Sequence, residues 1–242
     1  MLKYSFPPIP AECESHSDPL FQRVDEPFVN IAEYSDGLIA VDMEYLKRGY
    51  DGAIDIAYVR QDVADKLLHA ASLLPEGYRL KIYDAWRPYE VQAALYYEYY
   101  DKLCAMEENR GLSEEELHRM ARTFVSFPDR SVEFAFVHSS GGAVDLTVID
   151  EDGEELDMGT GFDDFTDLAA TRAFETVDCE ARENRRMLYH VMCAAGFTNY
   201  SPEWWHYDLG DKFYARFGGG AVKYASVYSV GEMTVNRRKQ HV

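Results

Sequence analysis

The spacing of hydrophobic residues changes along the chain, and the changes predict a mixture of helices and strands. Residues 62–77 carry apolar side chains three or four positions apart, which predicts a helix that ends near a proline and a glycine. Apolar and polar residues alternate in 78–84, which predicts a half-buried strand. The β-branched stretch 143–150 predicts a second strand, and 181–197 predicts an amphipathic helix with Gly196 as its C-cap.

Two further helices and an extended segment complete the predicted elements. A Tyr-rich helix is expected over 89–103, and Ser113 with Glu116 forms a capping-box signature for another helix. Residues 1–30 are rich in proline and are expected to be extended along the surface. The elements lack the regular alternation of a parallel α/β sheet, and neither a repeat nor a low-complexity linker divides the chain. The sequence therefore predicts one α+β domain over 1–242.

The net charge restricts the partners that this protein can have. The chain has 43 acidic and 24 basic residues and a formal net charge of -19 at pH 7. Such a chain is repelled by phosphate backbones and anionic membranes, so nucleic acid and membrane surfaces are not expected partners. No stretch approaches the roughly 20 apolar residues of a membrane span, and the N-terminus lacks the apolar run of a secretory signal. The sequence thus predicts a cytoplasmic protein, and it does not decide between a monomer and a homo-oligomer.

The cysteines do not indicate a disulfide framework. Cys13, Cys104, Cys179 and Cys193 are scattered and include no C-x-x-C pair, which is typical of reduced thiols. Cys193 follows His190 by three residues on a predicted helix, a spacing that half of a metal site can have. We favour the alternative, a buried thiol beside a partly buried histidine.

Two short segments carry the residue types that a catalytic metal site needs. His138 precedes Asp145 by seven residues, and the glycines between them allow a bend that turns both side chains toward one point. Histidine and carboxylate are ordinary zinc ligands. In "EWWHYD", Glu203 precedes His206 by three residues, so this segment offers a third ligand, a general base, and two tryptophans that are expected to wall the site. Taken singly, a turn-capping His138 and a core His206 are the more common interpretations.

Four segments together resemble the zinc-dependent D-alanyl-D-alanine dipeptidases, the family whose best-known members accompany vancomycin resistance. The segments are "YDAWRP" (83–88), "HSSGGAVDLTV" (138–148), "MGTGFDDF" (158–165) and "EWWHYD" (203–208). Their order and spacing fit from about residue 78 to 208. The resemblance implies a compact α+β domain with a central antiparallel sheet flanked by helices, shared with related D,D-carboxypeptidases.

The resemblance also implies a role for each matching residue. His138, Asp145 and His206 match the ligands of one zinc ion per chain, and Glu203 matches the catalytic base. Arg87 matches the arginine that stabilises the oxyanion; its alternative is a surface charge at a strand end.

Two acidic residues and one departure complete the comparison with the family pattern. Asp84 is expected to have a structural role, either orienting Arg87 or capping the next helix. Asp163 matches an acidic residue near the free amine of the substrate; its alternative is a solvated loop carboxylate. The family pattern Ser-x-His-x-x-Gly-x-Ala-x-Asp has Phe136 in its serine position here. Phenylalanine makes no side-chain hydrogen bond, so the departure affects substrate preference and leaves the metal ligands untouched.

The resemblance and these residues together imply a zinc metallopeptidase that hydrolyses D-Ala-D-Ala or a similar small D,D-dipeptide. One alternative is a D,D-carboxypeptidase that trims peptidoglycan stem peptides; Asp163 and the absence of a leader favour the dipeptidase. The other is a non-catalytic metal-binding module, against which Glu203 and Arg87 argue because a structural zinc needs neither. The sequence does not distinguish a role in antibiotic resistance from wall-peptide salvage.

Overall fold

The computed structural model describes residues 5–11 and 19–236 of the chain. In these ranges the strands are β1 (Phe28–Asn30), β2 (Ala40–Val41), β3 (Tyr58–Arg60), β4 (Arg79–Asp84), β5 (Ala143–Ile149), β6 (Thr198–Asn199) and β7 (His206–Asp208). The α-helices are α1 (Ile31–Tyr34), α2 (Glu44–Lys47), α3 (Gln61–Leu73), α4 (Tyr89–Ala105), α5 (Glu114–Phe124), α6 (Glu180–Ala195) and α7 (Lys212–Arg216). Short 3-10 helices occur at Glu107–Asn109, Val137–Ser140, Asp167–Ala169 and Val230–Glu232.

A five-stranded sheet in the order β2-β4-β5-β7-β6 forms the centre of the fold. Strand β5 is buried along its whole length and pairs antiparallel with β4 and β7. Only the two-residue edge strand β2 runs parallel to its neighbour, β4. Strands β1 and β3 form a separate antiparallel pair. The predicted α+β class with a central antiparallel sheet flanked by helices is confirmed.

The helices follow the predicted pattern and differ from it at their ends. Helix α3 stops at Leu73, before the predicted residue 77, because Leu74 precedes a proline and adopts an extended conformation. The capping box of α5 forms as predicted: Ser113 Oγ accepts from the Glu116 backbone, and the Glu116 carboxylate accepts from the Ser113 backbone. Helix α6 ends at Gly196, whose φ of 105° is the left-handed C-cap conformation.

The apolar core has two parts, and the candidate site lies beside both. In the larger part, α3 and α6 pack on the sheet, with Leu67 and Leu188 against β-strand residues such as Leu146. The smaller part joins α4 to α5 through residues such as Leu95 and Ala121. Each Å² of apolar surface buried in these two parts of the core contributes about 25 cal/mol to stability. This burial holds the sheet and the helices in a fixed relation.

Outside the core, the structure bears on several simpler predictions. The described part of 1–30 contains β1 and otherwise no regular element, and 1–4 and 12–18, with Cys13, lie outside the described residues. The single-domain organisation stays a prediction. Cys193 is free, and His190 contacts the Pro7 carbonyl oxygen through Nε2 at 2.9 Å, an arrangement that fits our non-metal interpretation. None of the described helices has both the length and the apolar character needed to cross a membrane.

Candidate active site

A β-bulge at the end of β4 turns an acidic residue into the interior. The register between β4 and β5 shifts after Ile82, so that Asp84 lies opposite Asp145. The simple alternation predicted for this strand therefore fails at its end, where Tyr83 and Asp84 are both buried. A bulge adds one residue to one strand and re-aims the side chain that follows it.

Strand register and one tight turn bring the three predicted metal ligands together. Asp145 of β5 and His206 of β7 are directly paired across the antiparallel ladder. His138 enters from the 3-10 helix Val137–Ser140, which ends at Gly141 with a φ of 74°. A Cβ on Gly141 would lie 2.3 Å from the Phe28 ring, so both the backbone conformation and the close approach require glycine.

The ligand atoms of these three side chains lie within 4.8 Å of one another. His206 Nδ1 is 2.9 Å from Asp145 Oδ1, and His138 Nε2 is 3.3 Å from Asp145 Oδ2. The two ring nitrogens are themselves 3.3 Å apart. Two imidazole nitrogens and a carboxylate converging in this way are a typical donor set for zinc.

The second nitrogen of each histidine has a partner that fixes the tautomer. His138 Nδ1 lies 2.7 Å from the Ala85 carbonyl oxygen, and His206 Nε2 lies 2.9 Å from Asp208 Oδ1. Both partners can only accept, so in the neutral rings that would bind a metal ion these nitrogens carry the protons. The lone pairs of His138 Nε2 and His206 Nδ1 then face the shared point, the arrangement typical of metal-binding histidines.

The electrostatics of the cluster favour a positive charge at its centre. Burial alone would lower the pKa of His206, but Asp208 and Asp145 raise it well above its ordinary value. Burial alone would raise the pKa of Asp145, but His138 and His206 lower it strongly. The raised pKa of His206 and the lowered pKa of Asp145 both mean that the carboxylates favour a positive charge at this point. A divalent metal ion held by the histidines would supply that charge.

Glu203 lies beside the cluster on the turn that leads into β7. Its backbone N–H donates to the Tyr200 carbonyl at 2.9 Å, and its side chain is 7% exposed. Oε2 is 3.8 Å from His206 Nδ1, whereas Oε1 is buried and has no hydrogen-bond partner among the described residues. Burial raises the pKa of Glu203 well above its ordinary value. An unpaired acceptor in the interior is costly, and a catalytic role is one reason why such a group is retained. The residues present therefore fit a metal site with an adjacent proton acceptor.

Arg87 is buried beside the cluster and is held by four contacts. Nε donates to Asp84 at 2.8 Å, Nη1 donates to Gln92 at 2.9 Å, and Nη2 donates to Tyr45 and Asp145 at 3.2 and 3.1 Å. Since a guanidinium has five N–H groups, one on Nη1 is left for another acceptor. Two structural roles were expected for Asp84: orienting Arg87 or capping the next helix. The structure shows the first, because Asp84 accepts a hydrogen bond from Arg87 and no side chain of the described residues caps the start of helix α4.

Asp163 lines the cavity that the metal-ligand cluster, Glu203 and Arg87 also line, and it has an unusual backbone conformation. Its φ is 61°, a left-handed value that is uncommon for a residue with a side chain. Tyr45 Oη donates to Oδ1 at 3.3 Å, and Arg48 Nη1 donates to Oδ2 at 2.6 Å. Burial, opposed by Arg48, raises the pKa of Asp163 to about 7. Its side chain is only 11% exposed, so it is a mostly buried cavity residue and not the solvated loop carboxylate considered as the alternative.

Comparison with known proteins decides the family. The family of peptidases described as D-Ala-D-Ala dipeptidase matches residues 40–218, more than half of the chain. The chain belongs to this family. The family assignment made from the four sequence segments is thereby confirmed.

Relatives with this name come from several bacteria. The D-alanyl-D-alanine dipeptidase of Escherichia coli is 34% identical over 134 residues, which cover 55% of this chain and 56% of that protein. The protein of the same name from Enterococcus faecium is 34% identical over 155 residues, 63% of this chain and 73% of that protein. A third, from Synechocystis, is 24% identical over 154 residues and is covered over 62% of its length.

In this member of the D-Ala-D-Ala dipeptidase family, aromatic side chains form much of the cavity wall. Phe136, in the position of the family serine, is 1% exposed and lines the cavity. Trp205 also lines it and packs edge-on against Phe162 at 5.5 Å. The expectation that both tryptophans wall the site is wrong for Trp204, whose indole lies in the core and donates to Thr160 Oγ1 at 2.9 Å. Both tryptophans lie in the turn before β7, and of the two only Trp205 lines the cavity.

Several residues that hold this dipeptidase-family site together were not predicted from the sequence. Asp208 had a usable signal, because it follows His206 by two residues and so shares its face of a strand. Tyr45 and Arg48 had none, because both reach the site from a segment far away in the sequence. Gln92 is only five residues from Arg87, but no motif in the sequence marked it as a partner of that arginine. The structure brings together all seven predicted site residues, and their individual roles stay predictions.

Proposed function

We propose that this chain is a zinc-dependent dipeptidase that hydrolyses D-Ala-D-Ala or a similar small D,D-dipeptide. One observation carries the proposal: His138 Nε2, His206 Nδ1 and the Asp145 carboxylate converge, and the buried carboxylate of Glu203 lies beside them with Oε2 3.8 Å from His206 Nδ1 and with Oε1 unpartnered among the described residues. Membership of the D-Ala-D-Ala dipeptidase family supports the choice of substrate. Zinc as the metal, one ion per chain, and a cytoplasmic location are parts of the same proposal.

His138, Asp145 and His206 would hold the zinc ion. When bound, zinc supplies a Lewis acid that polarises the scissile carbonyl and makes a water molecule more acidic. The hydrogen bonds from His138 to Ala85 and from His206 to Asp208 keep both rings in the orientation that this binding needs.

Glu203 is proposed as the general base and then the general acid. Oε1 takes a proton from the water whose oxygen attacks the scissile carbonyl carbon. The same oxygen then delivers that proton to the leaving nitrogen as the C–N bond breaks, which releases two amino acids. Burial raises the pKa of Glu203, so its carboxylate is a stronger proton acceptor than an exposed one. A general base works best when its pKa lies close to the working pH.

Arg87 is proposed to stabilise the negative charge that develops on the carbonyl oxygen. The remaining N–H of Nη1 is the donor available for that oxygen, and the contacts to Asp84 and Gln92 fix its direction. A preorganised donor of this kind contributes about 3 kcal/mol to transition-state stabilisation. The rigid contacts mean that little reorganisation is needed when the charge appears.

Asp163 and Phe136 are proposed to determine which substrates fit. The Asp163 carboxylate is the buried acceptor for the substrate ammonium, so it favours peptides whose amino group lies one residue from the scissile bond. Phe136 replaces a polar contact by apolar bulk, which is expected to weaken binding of the smallest substrate. The burial of Glu203 and Arg87 at the same point argues against a non-catalytic metal-binding module.

The test is to measure D-Ala release by the purified protein from three compounds: D-Ala-D-Ala, its N-acetylated form and a stem pentapeptide. We expect cleavage of the free dipeptide alone, loss of activity on chelation, and recovery when zinc is returned. Asp163→Ala should narrow the gap between free and acetylated dipeptide, whereas the adjacent Asp164→Ala, outside the cavity wall, should leave it unchanged. Equal cleavage of the free and acetylated dipeptides would replace the dipeptidase by the D,D-carboxypeptidase alternative.

A further inference from the structure

Asp163 is held from one side by two residues of the same short segment. Tyr45 lies in α2, and Arg48 is the C-cap residue of that helix. Their spacing of three residues places both side chains on one face of the turn. Tyr45 Oη donates to Oδ1 of Asp163, and Arg48 Nη1 donates to Oδ2 at 2.6 Å. Each carboxylate oxygen therefore has one donor from this segment and one further lone-pair direction.

The position of Arg48 leaves the cavity side of Asp163 open. Asp163 and Tyr45 line the cavity, whereas Arg48 does not. The Arg48 side chain is 35% exposed and lies behind Asp163, which is 11% exposed. Its guanidinium is 5.1 Å from the Phe162 ring centre and 3.6 Å from Glu44, which hold it in place. A substrate ammonium can approach from the cavity without displacing Arg48.

The charge balance around Asp163 makes this pairing important. The ionisable groups that influence it are Tyr45 and Arg48 of the α2 segment, Tyr50 beyond it, Arg87 after β4, Asp145 of β5, and Glu203 before β7. Burial and Asp145 favour the protonated carboxyl, and Arg48 is the leading influence toward the ionised form. A protonated Asp163 attracts an ammonium much less strongly than a carboxylate does.

We propose that Arg48 is a positioning residue for the amine end of the substrate, holding the Asp163 carboxylate ionised and turned so that its cavity side receives the ammonium. The inference rests on the proposed function, since it gives Asp163 the role of amine receptor. Arg48 acts only through Asp163, so its effect belongs in substrate binding and not in the chemical step.

The test compares Arg48→Gln, Arg48→Lys and the control Lys47→Gln in the zinc-loaded protein with D-Ala-D-Ala as substrate. Lys47 is the neighbouring cation, and it pairs with Asp42 and Glu44 instead of Asp163. An opposite charge at this distance lowers a carboxyl pKa by roughly one to three pH units. Arg48→Gln should therefore raise KM about tenfold at pH 7 and move the acid limb of the kcat/KM profile up by about one pH unit.

In the same variant, kcat, zinc content and Tm should stay near their wild-type values. Arg48→Lys keeps the positive charge and should recover most of the KM and the pH profile, and Lys47→Gln should match wild type. These results would support the inference. A lower KM in Arg48→Gln would overturn it, because Arg48 would then be a competitor of the ammonium. A loss confined to kcat or zinc content that Arg48→Lys does not recover would also overturn it, because the role would be purely structural.

Asp163→Asn separates this inference from the function on which it rests. If Asp163→Asn raises KM while Arg48→Gln leaves both KM and the pH profile unchanged, Arg48 has no such role and the amine receptor stands. If neither variant changes KM, Asp163 is not the amine receptor, and the inference falls with it. A wild-type protein that holds zinc and cleaves no dipeptide refutes the proposed function and the inference together.

Discussion

Glu203→Gln separates catalysis from folding at this site. The substitution keeps the shape of the side chain and replaces a carboxylate by a neutral amide that cannot accept the proton. Glu203 is buried, its Oε1 has no hydrogen-bond partner among the described residues, and its Oε2 lies 3.8 Å from His206 Nδ1. The metal ligands His138, Asp145 and His206 are unchanged, so zinc content should be unchanged too.

The expected effects on turnover and stability have opposite signs. A positioned general base contributes a rate factor of roughly 10² to 10⁴, so kcat should fall by that factor. The fall corresponds to a rise of about 3–5 kcal/mol in the activation free energy. The raised pKa of Glu203 means that burial opposes its charged form. A neutral amide avoids that cost, so Tm of the variant should equal or exceed that of wild type.

The assay is single-substrate kinetics with D-Ala-D-Ala, together with zinc analysis and thermal unfolding of the same preparations. Asp164→Asn provides a matched loss of one carboxylate outside the cavity wall. A kcat within about tenfold of wild type would refute the assignment of Glu203 as base, since the smallest expected effect is about a hundredfold. Loss of zinc with retained fold would instead make Glu203 a metal ligand.

Other substitutions test the remaining parts of the site. His206→Ala should remove the zinc ion, and stoichiometric zinc at this site in the folded variant would contradict the ligand assignment. Arg87→Lys should lower kcat by about a hundredfold, because an ammonium lacks the planar fork that keeps one donor directed at the oxyanion; a change in KM alone would mean that Arg87 only binds substrate. Phe136→Ser should lower KM for D-Ala-D-Ala, and an unchanged or higher KM would show that the ring does not limit binding. Gly141→Ala should lower Tm and zinc content together, because its Cβ would lie 2.3 Å from the Phe28 ring; a variant with wild-type Tm would show that the turn adapts.

Local sequence predicted much of the secondary structure and the chemical identity of the site. The hydrophobic period predicted α3, α6, β4 and β5, because burial of one helix face or of a strand leaves a regular pattern. The four short segments predicted the family, because a metal site fixes residue types and their spacing. Errors occurred where neighbours in space overrule local pattern, as at the β4 bulge that buries both Tyr83 and Asp84.

The tertiary structure decided how these residues meet. The β5–β7 register places Asp145 opposite His206, and the bulge places Asp84 where it holds Arg87. Neither register is encoded in a local stretch, because strand pairing depends on the side chains of both strands and on the core beneath them. For the same reason the sequence alone could name Asp163 but could not reveal Arg48, which reaches it from 115 residues away. The residue types of the site could thus be predicted from the sequence, whereas their partners, their burial and their pKa values depend on tertiary packing.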